Sequence, residues 1–119
     1  MLIIRNAQLE MFREYAFERY EEKLVNYLWR QLAEARTIPK EELEVFVHEQ
    51  VTKARFYQFS TERQIAVYVT TAWLLGGEFD VKFWQASDQL NSVELSADEK
   101  IEWLVPWAKD KLKVIRGRR

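Results

Sequence analysis

An all-α fold, a single compact bundle of about five helices, follows from three observations on the 119-residue sequence. Only three glycines and two prolines interrupt it, and no stretch alternates apolar and polar residues between turn signals as half-buried strands do. Apolar residues instead recur every three or four positions over long stretches. One segment, residues 61–77 (TERQIAVYVTTAWLLGG), is apolar from Ile65 to Leu75 except at Thr70 and Thr71. A helix apolar on nearly every side belongs in the middle of a fold, so the central helix is placed at about 61–75. The expected organisation is one helical domain over 1–113 and a basic, frayed tail over 114–119.

The first helix opens at Asn6, whose side chain suits an N-cap, and carries Leu9, Phe12, Ala16, Tyr20, Leu24, Tyr27, Leu28 and Leu32 at helical spacing. Unbroken to about Ala35 it would be roughly 45 Å long, so it bends or projects an end. On its outer side Glu10, Glu14, Glu18 and Glu22 stand four apart, relieved in part by Arg13, Arg19 and Lys23. This column reads as a solvated face; the sharper alternative makes Glu14 and Glu18 contacts for a basic partner or for the chain's own tail.

Pro39, Glu41 and Glu42 open a second helix from about Lys40 to Phe56, with Leu43, Phe46, Val47, Val51 and Ala54 on its buried side. His48, the only histidine, falls beside that stripe among Glu44, Thr52 and Arg55 and reads as an exposed or rim residue. Tyr57 and Phe59 close the junction into the central helix. Thr61 and Gln64 form a possible capping box for that helix, Glu62 suits its positive end, and Gly76-Gly77 stop it. Phe79, Phe83 and Trp84 then share helical spacing ahead of a short helix to about Leu90. They read as core lining, or alternatively as an anchor for another protein. Ser96 and Glu99 form a capping box for a last helix burying Ile101, Leu104, Val105, Ala108 and Leu112. Pro106 removes a backbone donor inside it, so a kink or break is expected near Glu102 to Val105, with Trp103 and Trp107 bracketing it on one face.

Charge is divided along the chain. Lys109, Lys111, Lys113, Arg116, Arg118 and Arg119 against Asp110 give the last eleven residues +5; with −1 overall, the body carries −6. Nucleic-acid binders usually present a basic domain face, so nucleic acid is disfavoured as a partner; a nucleic-acid-associated helical protein using the tail is the alternative outside protein binding. The absence of cysteine removes disulfides, thiolate metal sites and thiol nucleophiles, and is compatible with the cytoplasm. The apolar start Met1-Leu2-Ile3-Ile4 is too short for a signal-peptide core, and the central run falls short of the ~18 apolar residues that cross a bilayer. The expectation is therefore a cytoplasmic chain without a membrane segment.

Chemistry finds few candidates. One histidine at a wet position leaves no Ser-His pair, the Glu-x-x-His spacing of helical di-metal sites is absent, and no glycine-rich phosphate loop appears. No catalytic residue, metal ligand or cofactor is expected, and the chain is not read as an enzyme. A binding module needs only shape, apolar anchors and charge. Aromatics make up 14% of the chain, five of them tryptophan, enough to supply such anchors. The candidate contacts are Phe79, Phe83, Trp84, Trp103 and Trp107, with Glu14 and Glu18; a two-fold contact making a homodimer is an alternative use of the same surface.

The succession Ala54-Arg55-Phe56-Tyr57, Thr61-Glu62-Arg63, Tyr68, Leu74-Leu75-Gly76, Phe79-Asp80 and Trp84-Gln85-Ala86, with a short apolar start before Gln8-Leu9-Glu10, resembles a group of small helical bacterial proteins. Members of that group accompany genes of type VI secretion and polymorphic toxins. The resemblance spans about residues 1–90 and has no catalytic signature. Gly77 stands where the group has a proline or polar residue, and no proline precedes Trp84. What the resemblance implies is an accessory: a co-chaperone or adaptor holding a toxin effector or its chaperone before secretion, or an immunity protein that blocks a toxin.

Overall fold

The computed structural model describes residues 19–117, and every regular element among them is helical. The expected start at Asn6, most of the carboxylate column (Glu10, Glu14 and Glu18) and the terminal Arg118-Arg119 lie outside the described residues. The chain groups into two compact units, Met1–His48 and Glu49–Arg119.

In the first unit, helix α1 covers residues 19–31 and buries Tyr20, Leu24, Val25 and Leu28, a stripe at helical spacing. It does not continue as α-helix to Ala35. Leu32 is extended (φ −116°, ψ 113°) and a 3-10 turn, Ala33–Thr37, follows. Ile38 is extended as well, since a residue before proline is pushed out of the helical region. Pro39 then accepts from the amides of Glu42 and Leu43 at 3.0 and 3.2 Å, which starts helix α2, Lys40–Phe56, where the sequence places it. Leu43 and Val47 are buried; Phe46 is half-buried. His48 is exposed, and its Nδ1 lies 3.0 Å from a carboxylate oxygen of Glu21.

The second unit begins within α2, whose residues Gln50, Val51 and Ala54 are buried. Its end is a Schellman closure: the amide of Phe59 donates to Ala54 and that of Gln58 to Arg55, both at 3.0 Å. Gln58 takes the left-handed position at φ 76°, where glycine is usual. Helix α3, Glu62–Leu75, opens on the expected capping box, with Thr61 Oγ1 accepting from the Gln64 amide and Gln64 Oε1 accepting from that of Thr61. Gly76 caps it at φ 109°.

The central helix is not water-excluded on all sides. Ile65, Tyr68, Val69 and Ala72 form one buried face, Ala66, Val67, Trp73 and Leu75 are half-buried, and Leu74 is exposed. An apolar sequence thus supplies one buried face and a half-covered remainder, each buried aliphatic side chain contributing about 1.5–3 kcal/mol. Helix α6, Ala97–Gly117, packs along α3 and against the short helix α5, Trp84–Leu90. It opens on the expected box, Glu99 N–H to Ser96 Oγ at 3.2 Å and Ser96 N–H to Glu99 Oε1 at 3.1 Å. Pro106 does not break it: one helix runs to Gly117, so 114–117 are helical where the sequence reading has a frayed tail. Buried Ile101 and Leu104 before the proline and Ala108 after it anchor both halves.

Between α3 and α6 lie two short helices, α4 (Phe79–Lys82) and α5 (Trp84–Leu90), parted at Phe83, which is extended (φ −101°, ψ 115°). The break removes the helical register expected for Phe79, Phe83 and Trp84. Phe79 is buried, Phe83 is half-buried, and Trp84 has 73% of its surface exposed.

Candidate functional site

The aromatic residues of the second unit form a continuous row from core to surface. Tyr68 of α3 is its inner hub, with ring centroids 6.0 Å from Phe59, 5.9 Å from Tyr57 and 5.2 Å from Phe79. Phe79 leads outward to Trp107 at 6.5 Å; Trp107 meets Phe83 edge-on at 5.4 Å and stacks on Trp103 at 5.1 Å with 21° between planes. Trp103 and Trp107 meet because they are four residues apart on α6, and burial of Leu104 and Ala108 fixes that helix's rotation. Lys111, one turn further, sets its Nζ 5.7 Å over the Phe83 ring and 5.9 Å over that of Trp107. Trp103, Trp107 and Phe83 are half-buried, and the Trp107 indole N–H is shielded from water without an acceptor among the described residues.

A polar brace holds the turn beneath this row. Lys53 Nζ donates to the Gly77 carbonyl at 2.8 Å and lies 3.4 Å from Asp80 Oδ1, while Tyr57 OH donates to Asp80 Oδ2 at 2.7 Å. Asp80 is only 3% exposed, and a carboxylate so placed is tolerable because both oxygens have donors. Burial first, then the hydrogen bond to Asp80 and its charge, push the Tyr57 phenol well above its ordinary value. Burial, with the charge of Asp80 second, pushes Tyr68 up likewise. Both phenols are therefore held neutral and unsuited to acting as bases; that of Tyr57 fixes the Asp80 carboxylate, while the buried Tyr68 hydroxyl has no hydrogen-bond partner among the described residues.

Of the residues singled out in the sequence, Phe79, Phe83, Trp103 and Trp107 come together in the row. Trp84 stands exposed beside it in sequence, and Glu14 and Glu18 lie outside the described residues. Sequence reasoning missed Asp80, Lys53 and the cation of Lys111. An acidic residue between Phe79 and Val81 was the available signal for the first, and the four-residue step from Trp107 for the last.

The first unit carries a second concavity, an open groove of about 500 Å³ lined by Glu21, Glu22, Val25 and Asn26 of α1 and by Lys40 and Glu44 of α2. Three carboxylates against one ammonium make it acidic, over a floor that includes the buried Val25. Among the described residues no group of three or more His, Asp or Glu side chains is arranged to hold a metal ion, and no helix is long and apolar enough to cross a membrane. Comparison with protein-family models, with curated proteins and with solved structures finds no match to the chain.

Proposed function

We propose that the protein is a non-enzymatic protein-binding accessory, an adaptor or co-chaperone that holds a toxin effector or its chaperone in bacterial type VI secretion. The observation that carries protein binding is the outer end of the aromatic row. Trp103, Trp107 and Phe83 lie half-buried at the surface. Trp84, 73% exposed, follows Phe83 directly. Tryptophan at a surface is costly in water and concentrates binding energy when a partner covers it. The secretion context rests on the resemblance of residues 1–90 to accessory proteins of such loci.

The test is co-expression with a toxin effector from the same locus. Soluble and secreted effector should rise with the protein present, and Trp84→Ala, which removes an exposed side chain and spares the core, should weaken binding about 30-fold, equivalent to a hot-spot loss of about 2 kcal/mol. Growth rescue with unchanged effector level would replace this reading by toxin immunity. Turnover of a small substrate by the purified chain would overturn both.

A further inference from the structure

The apolar stripe of α6 outruns its cover. Ile101, Leu104 and Ala108 are buried and Leu112 is half-buried, but Ile115, next in the same spacing, is 48% exposed, and Val114 beside it is 52% exposed. Lys109 and Lys113 are exposed on the same turns with Asp110 between them, and Arg116 follows in sequence, so the charges of this end are basic on balance. This end of the helix thus exposes two apolar side chains on adjacent sides of the helix, among charges that are basic on balance. The groove of the first unit has the converse character, with Glu22 and Glu44 exposed above the buried Val25.

We propose that the α6 end of one copy docks in the Glu21, Glu22 and Glu44 groove of a second copy, so that two chains pair by exchanging these ends. Charge complementarity selects the occupant: basic residues rim the helix end, and carboxylates outnumber the ammonium in the groove. Each copy owns one groove and one helix end, so a reciprocal exchange between two copies would occupy both surfaces of each. A groove of about 500 Å³ takes few side chains. One such contact falls short of the ~1,200–2,000 Å² of a stable interface, and even two make a weak, salt-sensitive dimer. This pairing is independent of the aromatic row and of the accessory role.

The experiment is sedimentation velocity of the full chain over a concentration series at low and high salt. Association should depend on concentration, with a dissociation constant that rises about tenfold or more as screening increases. The double variants Glu22→Lys/Glu44→Lys and Lys109→Glu/Lys113→Glu should each remain monomeric, because each then carries like charge on both surfaces. Mixed in equal amounts, they should pair with one another, since every groove again faces an opposite helix end; circular dichroism checks that both fold. A wild-type monomer at every concentration overturns the proposal, as does a dimer indifferent to both reversals or a mixture that stays monomeric. Binding of the monomer to vesicles rich in anionic lipid through the α6 end, without self-association, also overturns it by giving that face another occupant.

Discussion

Among the described residues of the second unit two adopt positive φ, and their chemistry differs. Gly76, at φ 109° and ψ 147°, sits in a region that only glycine enters freely, and a Cβ built there meets nothing within 4 Å. The strain of Gly76→Ala is therefore purely a backbone effect, and the variant should lose about 1–3 kcal/mol in urea unfolding. Gln58 closes α2 at φ 76° without that freedom. Gln58→Gly relieves the steric cost, partly offset by the greater freedom glycine has when unfolded, and should gain about 0.5–1 kcal/mol. Opposite signs at these two positions are the outcome that counts; a loss at Gln58 would mean that its side chain, which reaches the Phe56 carbonyl at 3.4 Å, matters more than its backbone.

Gln64 ties two elements together at their starts. Its Oε1 accepts from the amides of Ser60 and Thr61, and its Nε2 donates to Asp98 Oδ1 in the first turn of α6 at 2.7 Å. Gln64→Glu keeps the acceptor for α3 but replaces the donor by a second carboxylate, so it should destabilise by about 1–2 kcal/mol near neutral pH. Asp98→Asn on that background should restore part of the loss, because an amide can again donate across the gap; purely additive changes in a double-mutant cycle would deny the link. The capping box itself was legible in the sequence, as was the one at Ser96, since both are local patterns of residues three apart. The link to Asp98, 34 residues away, was not, and neither was the Lys53–Asp80–Tyr57 brace, which spans 23 to 27 residues. Local spacing brings Trp103 onto Trp107, whereas the break at Phe83 follows no glycine or proline and so left no mark. The apolar run of α3 reported its composition correctly and its burial too generously, because apolar side chains also supply half-covered surface.

The division at His48 and Glu49 falls inside α2, where helical periodicity runs on without a glycine or proline, so nothing in the sequence marks it. What does distinguish the second unit is that both raised phenols lie in its core, and this gives its stability a direction with pH. In the folded chain Tyr57 and Tyr68 keep their protons above the ordinary tyrosine value of 10.0, while in the unfolded chain they release them there. The unfolded state then binds fewer protons than the native one, so stability is fully present below pH 10 and falls as pH rises past it. Each tyrosine contributes a slope of about 1.4 kcal/mol per pH unit. Lysines titrate in the same range, so the informative comparison is with Tyr57→Phe: its unfolding midpoint in urea, followed by tryptophan fluorescence, should fall less steeply than wild type above pH 10, by the slope of one proton. Tyr68→Phe should flatten the curve by the same amount. Curves that stay parallel to wild type would mean that neither phenol is held neutral in the folded chain, and the brace around Asp80 would then need another explanation.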